Sequence, residues 1–223
     1  MNTNINNLFN YTKNRIEKTN IIKNPYEYLY IENFIEDKFY DRLLNYINNT
    51  ITKNKIYDKI KTTPPNAPNT PHEGTSKYIG MGKRYILYTY NYKDIRKKLD
   101  QSIYNLFNIL INKEIQKIIF NKFTYVRKKE ICDTFFSTID YCTMKYDYPL
   151  HIDRNPKNIT FVFYLADDNK NEHLGTMIYD KEKKYHTKVP FRKNTCLIFA
   201  PYGNPKPTYH RMKYENFKNN CKY

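Results

Sequence analysis

The pattern of apolar positions divides the chain into a helical part followed by a β-rich part. Residues 1–24 are polar, rich in Asn and Lys and only weakly periodic, which predicts a flexible or loosely helical extension. The run Tyr28–Ile31 predicts a strand, and the acidic segment Glu32–Asp37 predicts a helix start, since acidic groups favour the positive end of a helix. Phe39, Leu43, Leu44 and Ile47 follow at helical spacing. A longer helical pattern covers residues 93–120, with Leu99, Ile103, Leu106, Leu110, Ile115 and Ile119 on its apolar positions. Residues 61–76 hold four prolines and almost nothing apolar, which predicts a long surface loop. This loop is either a lid over a site or a plain insertion. A strand candidate, Arg84–Tyr88, follows it.

Beyond residue 123 the period shortens. Short β-like runs at Thr134–Met144, Ile159–Leu165, Thr176–Tyr179, Thr187–Phe191 and Thr195–Phe199 are separated by Gly, Pro, Asn and Asp, the pattern of a sandwich or barrel. The expected fold class is α+β, with residues 25–223 as one domain: helical support over 32–120 and a β-rich core over 123–223. Residues 28–120 alone would make a poor core.

Composition adjusts this picture in two respects. Mean hydropathy is low at −0.85, but aromatic residues make up 17% of the chain and Tyr packs its ring while keeping its hydroxyl wet, so a folded domain is expected. The net charge of +16 would suit an anionic partner, yet the Lys residues are scattered, with no long basic run. A compositional bias toward Asn, Lys, Ile and Tyr accounts for the charge better than dedicated nucleic-acid binding does. Cys132, Cys142, Cys196 and Cys221 show no CxxC spacing, which argues against a zinc ribbon and for reduced, packed thiols. With neither a signal-peptide pattern nor an apolar run long enough to span a bilayer, a cytoplasmic protein with no membrane partner is expected.

The candidate chemistry lies in the β-rich part. In an extended strand, residues i and i+2 share a face, so His151 and Asp153 can set an imidazole beside a carboxylate. Alone the pair means little, because five His in this composition yield roughly 0.27 His-x-Asp pairs by chance. His210, 59 residues later, follows the apolar run Thr195–Phe199, and enough strand-sized segments intervene to bring the chain back beside the first pair. Two His and one carboxylate leave open positions on an octahedral metal, as non-haem Fe(II) oxygenases require, whereas structural zinc fills four. His72, His173 and His186 lie in polar loops or turns and are expected to be solvated. Tyr141 and Tyr164 flank the pair, and Gly175-Thr176 opens a strand.

The order Tyr141, His151-Ile-Asp153, Ile159–Leu165, Gly175-Thr176, Asn194–Phe199, His210 resembles the double-stranded β-helix core of 2-oxoglutarate- and Fe(II)-dependent dioxygenases, nearest the prolyl-4-hydroxylase-like branch. The resemblance runs over residues 134–218, and more loosely from residue 28. It implies a jelly-roll, cupin-like core with Fe(II) held by His151, Asp153 and His210. It implies 2-oxoglutarate contacted by Tyr141 and Tyr164, with Thr160 contributing, O2 as cosubstrate and ascorbate as a candidate auxiliary reductant. The family also places a basic residue after the distal His to pair with the far carboxylate. Residues 219 and 220 are Asn here, so Lys218 is the first choice, Lys222 the second and Arg211 the third. The implied activity is C–H hydroxylation, with peptidyl proline as leading substrate and a free amino acid or other small molecule behind it. Nucleic-acid demethylation ranks lower, since the Arg pair of that branch is missing, as does a non-catalytic cupin-like binding protein.

Overall fold

The computed structural model describes residues 5–52, 84–88, 101–126, 138–142, 147–153, 157–201 and 207–213; at 50–52, 84–88, 101–103, 107, 138–142, 147–149 and 213 the description is of the backbone. In chain order they form α1 (Ile5–Lys18), β1 (Tyr28–Glu32), α2 (Asp37–Tyr46) with a π-helical turn (Ile47–Thr52), β2 (Arg84–Tyr88), α3 (Gln101–Leu110) and α4 (Lys113–Lys122). There follow β3 (Thr138–Cys142), β4 (Asp147–His151), β5 (Thr160–Tyr164), a 3-10 turn (Glu172–Leu174), β6 (Thr176–Tyr179), β7 (Tyr185–Val189), β8 (Thr195–Phe199) and β9 (His210–Lys213).

All the pairings are antiparallel and fall into three sheets among the described residues: β1-β8-β5, β2-β3 and β4-β9-β6-β7. The class is mixed helix and antiparallel sheet, compatible with an α+β fold.

Side-chain alternation explains how the layers stack. Strand β8 is buried at all five positions, so it needs a partner on each face. Its Cys196 and Ile198 join Leu29 and Ile31 of β1 in a cluster with Leu8 of α1, Phe39 and Leu43 of α2, Leu106 of α3 and Ile115 of α4. Its Leu197 and Phe199 point the other way, packing with Tyr28, Tyr164, Ile178 and Val189. Because Ile178 and Val189 belong to the four-stranded sheet, β1-β8-β5 is sandwiched between a helical layer and that sheet. Each large apolar side chain so buried contributes about 1.5–3 kcal/mol.

Two expectations from the pattern are corrected. The polar segment at 1–24 contains α1, whose Leu8, Thr12 and Ile16 recur every fourth residue and are buried. Thr12 can be buried because its hydroxyl donates to the Leu8 carbonyl at 2.8 Å. The helix end is tied down by Lys122, whose ammonium donates to the Glu17 and Thr19 carbonyls at 2.8 and 2.9 Å. Those carbonyls, left over at a helix C-terminus, favour a cation. The second correction concerns the pattern at 93–120, which is two helices where it is described. Asn112, in an extended conformation, ends the run; its side chain accepts the Glu114 N–H at 2.8 Å and caps α4. An apolar period survives such a cap, so the pattern alone reads through it. The strands expected at 134–144 and 187–191 are found at Thr138–Cys142 and Tyr185–Val189. The loop at 61–76 lies outside the described residues.

Gly175 and Asn194 lock the turns around β6 and β8. A Cβ at Gly175 would lie 1.7 Å from the Val189 carbonyl oxygen and 2.8 Å from the Phe191 nitrogen, so only glycine allows the backbones to meet. Asn194 has φ 55° and is buried; its side chain accepts the Ile35 N–H at 3.1 Å and donates to the Ile35 carbonyl at 2.7 Å. Asparagine tolerates that backbone conformation and fastens β8 to the start of α2. Replacing Gly175 by Ala forces backbone apart rather than a flexible side chain. Urea denaturation of Gly175→Ala is expected to show a stability loss of at least about 2 kcal/mol; a parental midpoint and slope would refute this account of the contact.

Candidate metal centre

Strand pairing builds the site. In the β4–β9 ladder Asp147 pairs with Lys213 and Tyr148 with Met212, but His151 pairs with His210, so the register shifts by one residue between Tyr148 and His151. The shift is a β-bulge, and Pro149, which has no N–H to give a ladder, stands within it on β4, which has one neighbour among the described strands. Residues directly opposite in an antiparallel pair share a face. The bulge therefore sets both imidazoles on one face, with ring centroids 4.2 Å apart. On the unshifted register His210 would oppose Leu150.

Asp153 follows two residues after His151, just past the strand end, and is buried. One nitrogen or oxygen from each of His151, Asp153 and His210 lies within 4.8 Å of the others, and among the described residues this is the group able to hold a metal ion.

The surroundings prepare each donor. Thr208 is buried, and its carbonyl oxygen can only accept, so at 2.9 Å it takes the proton of His210 Nδ1. That tautomer leaves Nε2 with a lone pair, the form that ligates a metal. Burial holds the His210 pKa below its usual value, outweighing the opposing pull of Asp153, and so favours the neutral ring. The Phe199 ring packs against His210 with centroids 4.9 Å apart. At Asp153, burial alone would raise the pKa, but the Lys157 charge and the hydrogen bonds from Lys157 and Thr160 hold it below the usual carboxylate range. The Lys157 ammonium donates to Oδ1 at 2.8 Å, and the Thr160 hydroxyl donates to Oδ2 at 2.6 Å. A charged carboxylate and neutral imidazoles are the protonation states that metal binding demands.

This donor set fits Fe(II). It combines two nitrogens with one carboxylate oxygen and leaves positions for other ligands. A closed structural zinc site would take a fourth protein donor, and none stands with the three among the described residues.

The other candidates divide as follows. Tyr164 is buried, and its hydroxyl shares a 2.6 Å hydrogen bond with that of Thr176, so the Gly175-Thr176 pair supplies both a close approach and a partner. Thr160 acts on Asp153. Tyr141 lies in β3 opposite Tyr85, and its side chain is outside the described residues. Lys218 and Lys222 are also outside them. Arg211 neighbours His210 in β9, so alternation puts it on the opposite face. His173 and His186 are exposed, and His72 lies outside the described residues. Sequence reasoning missed Lys157 and Phe199. The spacing of Lys157 four residues after Asp153 was legible, but outside a helix spacing does not say that two side chains meet.

Comparison with known proteins follows from this geometry. No family model matches the chain, and no curated protein matches it. Among solved structures, it is similar to a crystal structure of a Pseudomonas putida prolyl-4-hydroxylase, with 9% identity, a TM-score of 0.40, and coverage of 93% of this chain and 99% of that one.

No described helix is long and apolar enough to cross a membrane. Thr160→Val keeps the shape of the side chain and removes the hydrogen bond to Asp153. Calorimetric titration with Mn(II) is expected to show a Kd weakened about 10- to 100-fold; an unchanged Kd would mean that the hydroxyl does not orient the carboxylate.

Proposed function

We propose that the chain is a 2-oxoglutarate- and Fe(II)-dependent dioxygenase that hydroxylates a C–H bond. The observation that carries the reading is the set of two imidazoles and one carboxylate gathered at the end of β4 and β9, their ligand atoms within 4.8 Å of one another. The order of motifs along the sequence supports it independently of that geometry. So does the path of the chain, which runs from β4 in the four-stranded sheet to β5 in the three-stranded one, back to the β6–β7 hairpin, across to β8 and back to β9, as a double-stranded β-helix requires.

Under this reading His151, Asp153 and His210 hold the metal. Lys157 and Thr160 fix the carboxylate, and Thr208 fixes the distal imidazole. The chemistry supplied by a bound Fe(II) is the coupling of O2 reduction and 2-oxo acid decarboxylation to hydroxylation. The protein orients the reactants and keeps water out, and the apolar layer of Phe199, Leu197 and Ile178 behind the site serves the second task. Tyr164 contacts the acid in this proposal: if Thr176 donates to the Tyr164 oxygen, the phenol proton is left for a carboxylate acceptor. Tyr141 and Lys218 complete the acid site in this proposal, Lys218 as a point charge with less directionality than arginine. Peptidyl proline is the proposed substrate class, on the strength of the sequence resemblance.

Fe(II)-dependent release of succinate from 2-oxoglutarate is the test. Turnover is expected in the parent protein and loss to background in His210→Ala and Asp153→Ala. A parent that binds Fe(II) with all three ligands yet never consumes 2-oxoglutarate would overturn the proposal. A proline-containing peptide that gains one oxygen atom, read by mass spectrometry, would carry the substrate assignment; gain on a free amino acid instead would replace it.

A further inference from the structure

The segment before β1 brings a tyrosine from the far end of the chain against Phe199, the ring that packs on His210. Ile22 and Tyr28 exchange two backbone hydrogen bonds, each 2.9 Å, so residues 22–28 close into a loop. Glu27 fastens that loop to the end of α4, its Oε2 accepting the Thr124 N–H at 2.7 Å. Within it, Tyr26 is 1% exposed and turned into the layer between the two sheets. Its ring meets Tyr28 at 6.0 Å and Phe199 at 6.3 Å between centroids, and Phe199 in turn packs on His210.

What is unusual is the phenol. The Tyr26 hydroxyl is buried and has no hydrogen-bond partner among the described residues. A tyrosine in such a layer could be Phe at no loss, and a buried hydroxyl left unpaired is unfavourable, so a donor unmet among the described residues is suited to a ligand's acceptor. A second buried hydroxyl without a partner among them, that of Thr208, stands two residues before His210. The direction of the Tyr26 pKa agrees: burial raises it most, and Tyr28, Tyr164 and Asp153 add to the rise, so the phenol keeps its proton and lies within electrostatic reach of the metal-site carboxylate. A protonated phenol one ring removed from His210 is suited to donate to an anion.

We propose that Tyr26 is part of the cosubstrate pocket, its hydroxyl donating a hydrogen bond to a carboxylate oxygen of the 2-oxo acid held at His151, Asp153 and His210. The inference rests on the dioxygenase reading and adds to it a residue more than a hundred positions from the metal ligands.

The test uses the full chain loaded with Mn(II) and titrated with 2-oxoglutarate by calorimetry, with Tyr26→Phe and Tyr30→Phe compared with the parent. Tyr30 is a control from the same layer, since its hydroxyl already donates to the Pro190 carbonyl at 3.1 Å. For Y26F the expected result is a 2-oxoglutarate Kd weakened roughly 10- to 100-fold, unchanged Mn(II) affinity and a metal-free melting temperature at or above the parent's. For Y30F it is a lower melting temperature with parental acid affinity. Equal acid binding by parent and Y26F would overturn this inference and leave the dioxygenase reading intact. A Y26F protein that melts well below the parent would overturn it too, because it would reveal a partner within the chain. An equal loss of acid binding in Y30F would do the same, by showing that any hydroxyl of this layer suffices. A parent that binds Mn(II) but not 2-oxoglutarate would overturn the dioxygenase reading, and this inference with it.

Discussion

The one-residue bulge in β4 is the constraint on which the site depends. A ladder without it would pair His210 with Leu150, and His151 would face the other side of the sheet. Side chains alternate along a strand, so a slip of one residue is all-or-none for a pair of ligands. Pro149 suits the bulge because it costs the ladder a donor that the bulge leaves unused, and because β4 has one neighbour, β9, among the described strands. That placement also leaves the metal face open at the strand end, where Asp153 can turn in from the segment that follows. Nothing else in the fold could compensate for a slip, since β9 is held on its other side by β6, with Ile178 opposite His210.

Around that constraint the protein places polar groups in an otherwise apolar layer, and nearly every one is answered. Asp153 is met by Lys157 and Thr160, His210 by the Thr208 carbonyl and Tyr164 by Thr176. In a medium of low dielectric, such pairs hold donors at fixed angles, while an unanswered group is costly. The contrast gives the unpaired hydroxyls of Tyr26 and Thr208 their meaning. The same region pairs the hydroxyls of Tyr30, Tyr164 and Thr176, so the two exceptions are not a sign of loose packing.

The sequence made some of this legible and not the rest, for physical reasons. Strands β1, β5 and β8 could be read because each packs apolar side chains on both faces and so carries a continuous apolar run. The metal triad could be read as residue types in order, but the pairing of His151 with His210 is a matter of register, and a bulge leaves no mark in the period beyond the proline. α1 was hidden because one narrow stripe, Leu8, Thr12 and Ile16, faces the core, and its middle member is polar until its bond to Leu8 is seen. The break at Asn112 was hidden because the helices on both sides share the same apolar face. Tyr26 was one Tyr among 24, and nothing local distinguishes it.

The division into helical and β-rich parts also proves less deep than the pattern suggests. The β-rich part cannot bury itself, because Cys196 and Ile198 of β8 face the helices and Phe161 and Phe163 of β5 pack against the same cluster. β1, from the N-terminal part, completes the three-stranded sheet by pairing with β8 along all five residues. Removing the first fifty residues would strip part of one face of that sheet, leaving α3 and α4 to cover the rest, and would expose an edge of it. The site would suffer as well, because Phe199 owes its position to β8 and its neighbour Tyr26 to the loop that leads into β1. The metal ligands come from the last third of the chain, but the floor on which they stand is laid by the first.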